Sequence, residues 1–232
     1  MQLGERSYGY AARHDPGRTH NGKDVDPRVS HRADSTRGGI PIVTKAPPPQ
    51  EMHWPEGTIF TLGHSTLPIE RFIDLLRVYG IARLVDIRTV PGSRHNPQFM
   101  KEALAESLAA VQIAYQQMPA LGGLRHGRKD SPNGGWRNKS FRGYADYMQT
   151  AEFAVGVDAL IAVGKERRTA IMCAEAVPWR CHRSLVADAL EVRGVAAIEI
   201  LSETSYRPHK LTPFAHVEGT AITYPPEQPD LL

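Results

Sequence analysis

The chain has 232 residues, 41% hydrophobic and 23% charged, with a formal net charge of +3. That length can bury one sizeable core or two small ones. No apolar run approaches the roughly 20 residues that span a bilayer. Two cysteines, Cys173 and Cys181, argue against a disulfide scaffold and fit a reducing cytoplasm.

Residues 1–55 read as a basic, disordered N-terminal extension, ahead of a single α/β domain over 56–225 and a short tail, 226–232. The first 50 residues hold eight Lys or Arg against five Asp or Glu, so the excess positive charge lies there. This segment is rich in Arg, Asp, Gly and Pro and lacks periodicity. It cannot bury enough apolar surface to offset its ordering entropy. Residues 40–43 could add one edge strand. The opening MQLGERSYGYAARHD has no apolar stretch of the secretory kind.

From Thr58 the pattern changes. TIFTLG, 58–63, reads as a buried strand. In 68–79 the apolar positions Ile69, Phe72, Ile73, Leu75 and Leu76 have helical spacing, and Gly80 supplies a stop. ARLVDIR, 82–88, is a second strand, 97–110 a second helix, and 113–118 a third strand. A long loop over 119–142 follows, with six basic residues against one acid, Asp130. It is either a solvated basic loop or an anion site. Residues 144–163 read as helix, broken near Thr150. TAIMC, 169–173, is a fourth strand, 184–193 a helix closed by Gly194, and 195–201 a fifth strand. A short strand is possible near Ala221. Alternating strands and helices predict an α/β fold in three layers: a mainly parallel sheet of about five strands with helices on both faces.

In such sheets ligands bind beyond the carboxyl ends of the strands. Those ends carry Gly63, His64 and Ser65; Asp86 and Arg88, then Ser93 and Arg94; Gly122 with Arg125; and Cys173 with Glu175. A charge at the mouth of a buried strand is costly unless paired. Cys173 ends a strand before a helix, where N–H groups can stabilise a thiolate, so it is a candidate nucleophile or redox thiol. It could equally be an inert core cysteine. Glu175 is a candidate acid/base, or structural glue to Arg183 or Arg88. Cys173 and Cys181, eight residues apart, could form a redox pair, or supply metal ligands with His182 and His64. Structural zinc sites, however, show tighter cysteine spacing and four clear ligands. Asp86 and Arg88, two apart on a strand, share a side and form either a mutual ion pair or part of an anion site. Arg88, Arg94 and Arg125 suit a phosphate or carboxylate. Trp136, Phe141, Tyr144, Tyr147 and Trp179 flank the basic loop and the cysteine turn. They could stack a base, although Tyr144, Tyr147 and Met148 have the spacing of an inward helix face.

The motifs TLGHS, DIRTVPGSR, LGGLR, WRNKSFRGYADYM, CAEAVPWRCHRSLVADAL and RPHKLTPFA occur in this order between Thr58 and Tyr224. On them the chain resembles the bacterial and archaeal family named Domain of Unknown Function 488. The resemblance implies a compact α/β fold. It also implies that Gly63, Ser65, Asp86, Arg88, Pro91 and Ser93 occupy motif positions, as do Gly122, Tyr144, Cys173, Glu175, Cys181, His182, Arg183 and His209. It implies no substrate and no cofactor.

The leading expectation is a cysteine-dependent transferase or hydrolase acting on an anionic substrate, a nucleotide or nucleic-acid-like one, at a strand-end pocket. Cys173, Glu175 and His182 would be catalytic, and Arg88 with Arg183 would clamp the anion. The strand–Cys–loop–helix layout loosely resembles rhodanese and cysteine-phosphatase loops. The phosphatase spacing Cys-x(5)-Arg is absent, because Trp179 stands where the Arg belongs and Arg180 comes one later. The alternatives are a non-enzymatic nucleic-acid-binding module acting through Arg125 to Arg142, and a structural metal site.

Overall fold

Eight strands and five α-helices order the chain described by this computed structural model, residues 52–92 and 94–226. The first half alternates β1 (Ile59–Gly63), α1 (Ile69–Val78), β2 (Arg83–Asp86), α2 (Lys101–Ala109) and β3 (Ala114–Gln117). Then come α3 (Lys139–Tyr147), α4 (Ala151–Glu166), β4 (Thr169–Cys173), α5 (Arg183–Glu191) and β5 (Ala197–Ile200). Short strands β6 (Tyr206–Pro208), β7 (His216–Glu218) and β8 (Ala221–Thr223) finish it. The possible strand at 40–43 and the 1–51 part of the extension lie outside the described residues.

The main sheet has six strands in the order β3-β2-β4-β1-β5-β6. β1 to β5 pair in parallel, while β6 closes the edge antiparallel to β5. The sixth strand was missed in the sequence because a three-residue edge ending in Pro208 carries no alternation, and proline is tolerated only at such an edge.

Handedness decides which helix covers which face. From β1 the chain steps outward to β2 and β3, then returns to insert β4 beside β1 and passes over to β5. Right-handed crossovers in opposite directions place their helices on opposite faces. Accordingly Phe60, Leu62, Leu84, Ala170 and Met172 meet Phe72 and Leu76 of α1 and Leu104 and Leu108 of α2. Ile59, Val85, Ile171 and Cys173 meet Tyr144 of α3, Phe153 and Val157 of α4, and Leu185 of α5. The three-layer α/β arrangement read from the sequence is therefore present.

Local chemistry sets the helix limits. Thr150 interrupts the 144–163 helix as expected, and its hydroxyl caps α4 by accepting from Phe153 N–H. α3 starts at Lys139, not 144, because the Asn138 side chain accepts from Ser140 and Phe141 N–H. The single helix expected over 97–110 is instead a 3-10 turn, Pro97–Phe99, and then α2, with Met100 extended between them.

Three more residues pin the C-terminal segment to α5. The buried Asp188 carboxylate accepts from His209 Nε2 (2.8 Å), Thr212 N–H (3.0 Å), Thr212 Oγ1 (2.7 Å) and Tyr224 Oη (2.8 Å). His209 Nδ1 donates to Glu199 (2.9 Å), which also holds Arg207.

Candidate functional site

β1 and β4 are neighbours whose following helices leave to opposite faces. The space outside their carboxyl ends is thus a topological switch point, where open α/β sheets bind ligands. Gly63 and Cys173 stand side by side in register. The pairing continues one step further, with His64 N–H on Cys173 O and Ser65 N–H on Ala174 O. A Cβ at Gly63 would overlap the Glu175 carbonyl and press on the Arg183 guanidinium, so glycine lets the cysteine loop lie against β1. Ser65 follows at φ 49°, a left-handed conformation that side chains rarely adopt and that clusters at functional sites.

A cleft of about 680 Å³ opens above these ends. His64 and Ser65 line it after β1, Arg88 and Thr89 after β2, and Cys173, Glu175, Arg180, Cys181 and His182 after β4. Gly123, Leu124 and the start of α3, Ser140 and Phe141, close the far wall. Glu175 is the sole carboxylate among these described lining residues. The N–H groups of Ala176 and Val177, also on the wall, have no partner among the described residues.

Cys173 is 2% exposed, yet it is one of the residues that line the cleft. Both cysteines are free thiols. The Cys181 thiol donates to Cys173 Sγ at 2.7 Å, and Arg183 Nη1 donates to the same sulfur at 2.7 Å. Burial alone would hinder ionisation. The Cys181 hydrogen bond and the Arg183 charge outweigh it and lower the Cys173 pKa below the ordinary thiol value. Cys181 shifts upward, chiefly because it is the donor in that bond and then because it is buried.

Arg183 is fully buried. Its guanidinium also donates to the Glu175 and Ala176 carbonyl oxygens, while its Nε has no partner. None of the ion pairs among the described residues gives it a carboxylate. A buried cation without a counter-ion is costly, and the Cys173 thiolate is the group in place to neutralise it.

Both cleft histidines are neutral. Burial lowers His64 to about 4, and its Nδ1 donates to Ser65 O at 2.7 Å while the ring stacks on Phe99. Burial likewise lowers His182 to about 4. His182 Nε2 donates to Ile87 O (3.2 Å), which leaves Nδ1 as an acceptor 3.5 Å from Cys181 Sγ. These tautomers follow from the carbonyl partners.

Several sequence expectations are corrected by position. Asp86 is buried behind the cleft, not in it. Arg88 grips it through Nε (2.9 Å) and Nη2 (2.6 Å), and Tyr115 donates to it as well, so the pair is the mutual one. Arg88 itself still lines the cleft, as expected. Arg183 is no anion clamp at the mouth, since it lies beneath the loop. Arg125 turns inward: it donates to the Gly122 and Pro119 carbonyls and lies over the Tyr147 ring at 3.6 Å. Tyr144 is core, with its hydroxyl on Leu121 O. His209 is held by Asp188 and Glu199 and lines a separate hollow, not this cleft. Gly63 lies below the loop, Arg94 is exposed outside the cleft wall, and Ser93 is outside the described residues. Among the described residues no group of three or more His, Cys, Asp or Glu could hold a metal ion. No helix there is long and apolar enough to cross a membrane.

Sequence reasoning missed Thr89 and Ser140, and it placed Gly123 on the rim, within LGGLR, without a role. For Gly123 a signal existed: a side chain there would meet the His182 ring, so the glycine pair after Leu121 marks a close approach of loop and histidine.

A family model described as Domain of unknown function DUF488 matches residues 68–190. No curated protein and no solved structure matches the chain.

Proposed function

The chain belongs to the family Domain of unknown function DUF488, whose description assigns no activity, and we propose that it is a cysteine-dependent transferase or hydrolase acting on an anionic substrate. One observation carries this reading: the buried Arg183 guanidinium has Cys173 Sγ as a partner and no carboxylate among the described residues. That charge favours the thiolate, which is the nucleophilic form of cysteine.

The anion is received at the mouth of the cleft by exposed Arg180 and by the open N–H groups of Ala176 and Val177. Cys173 sulfur attacks the electrophilic centre and carries the transferred group, while Glu175 delivers a proton to the leaving group and takes one from the water or acceptor that follows. Cys181 holds the thiolate by donating its one proton to it, and neutral His182 stands beside it with Nδ1 3.5 Å from the Cys181 sulfur. Two free thiols at such a centre fit a reducing cytoplasm.

Iodoacetamide labelling across pH, with each site assigned by mass spectrometry, tests this. Cys173 of the folded protein is expected to label with a midpoint below the free-thiol value of about 8.5, and Cys181 later. A chelator should leave the rate unchanged. Labelling of Cys173 only after unfolding would remove the nucleophile.

A further inference from the structure

The cleft does not end at the cysteine loop. Phe141, Glu175 and Arg180 are shared with a second hollow of about 400 Å³. Trp136 and Trp179 are shared between that hollow and a third of about 580 Å³. One groove therefore runs from the thiol past two indoles.

Trp179 sits on the 3-10 turn Pro178–Arg180 inside the cysteine loop itself and is 61% exposed. Arg207 lies over its ring at 5.1 Å. Trp136 is fixed by Phe141 and Phe214 at 4.8 and 5.0 Å, and its Nε1 is buried with no hydrogen-bond partner. A buried donor without an acceptor is an energetic debit. The groove is basic, with Arg180, Arg207 and Lys210 along it. Of its two carboxylates, Glu199 is already bound by Arg207 and His209.

We propose that this groove is a nucleobase subsite: a base stacks at Trp136 and Trp179, and its phosphate reaches the thiol cleft by way of Arg180. Flat indole faces suit a planar ring, and cations flanking aromatics suit its phosphate. An aliphatic chain would leave the cations without use. This inference deepens the thiol-enzyme reading and rests on it for the placement of the phosphate.

Calorimetric titration of the reduced full chain with the four nucleoside monophosphates, and with ribose 5-phosphate as a base-less control, tests it. Stacking of one base is worth about fivefold to 150-fold in affinity. At least one nucleotide is expected to bind about tenfold tighter than ribose 5-phosphate, and Trp179→Ala should bring the two within about twofold. Because Trp179 is exposed, the variant should fold, which an unchanged melting temperature verifies. A single-stranded pentanucleotide distinguishes the sources: much tighter binding assigns the base to a strand, and equal binding to a free nucleotide. Equal affinity for nucleotides and ribose 5-phosphate, or a preference that survives Trp179→Ala, overturns the subsite while leaving Cys173 labelling untouched. Conversely, an inert Cys173 alongside a Trp179-dependent base preference would remove the thiol chemistry and keep the subsite.

Discussion

Replacing Arg183 by methionine is expected to slow alkylation of Cys173 at pH 7 by at least about tenfold, since each pKa unit regained is a tenfold loss of thiolate below the pKa. Methionine fills much of the same buried volume but brings no charge and no donor. Cys173 would keep the Cys181 hydrogen bond (2.7 Å) and lose the cation (2.7 Å). Burial, which already opposes ionisation, would then carry the thiol upward. The Glu175 and Ala176 carbonyls would also lose their donors, so the loop should loosen. Arg183→Lys separates the two effects: it restores a charge at one point but cannot span sulfur and carbonyls together. Stopped-flow alkylation of the three proteins over pH 5 to 10 provides the check. Identical profiles for wild type and Arg183→Met would mean that the guanidinium serves the loop alone.

The second large effect concerns stability. Asp188→Asn is expected to destabilise the protein by about 3–5 kcal/mol, the usual result of removing one partner from a buried ion pair. Four donors converge on the two Asp188 oxygens. An amide would turn an NH₂ group toward two of them and leave the His209 imidazolium half-compensated. His209 also sets a pH dependence. Burial opposes its charged form, but the bonds to Asp188 and Glu199 win and raise its pKa to about 9, against 6.5 unperturbed. A raised folded-state pKa means that the contribution is complete below about 6.5 and is lost as pH climbs through about 9. Melting temperatures measured from pH 6 to 10 should fall across that window in the wild type. The slope should flatten in Asp188→Asn. A flat wild-type profile would show that the imidazole is neutral throughout.

The sheet was largely legible in the sequence because its strands are continuous apolar runs between helical periods, the mark of a sheet covered on both faces. The rim was legible too, since strand ends follow from strand positions. What failed was the direction of long side chains. Arg125 reads as an anion ligand in a basic loop, but the carbonyls of residues 119–122 lie close by in space and absorb its donors. Arg183 and Arg180 look equivalent as letters. One is first in α5 and points under the loop, while the other ends a 3-10 turn and stays in solvent. His209 carried a motif position but no hint that its partners would be Asp188 and Glu199, since both come from elements up to 21 residues away. The groove past Trp136 and Trp179 joins two segments that only the fold brings together.

The position of β1 has a further consequence. It lies between β4 and β5 and is hydrogen-bonded on both sides, yet it precedes the 68–190 segment that the family model spans. A fragment cut at those limits would lack its central strand and would begin after the three residues, Gly63, His64 and Ser65, that shape the mouth. Because it would also end before β5 and β6, β4 would be left with an unpaired edge of the kind that recruits other chains. The shared sequence of the family is therefore a record of where similarity is dense, and the smallest piece able to fold is larger than that record.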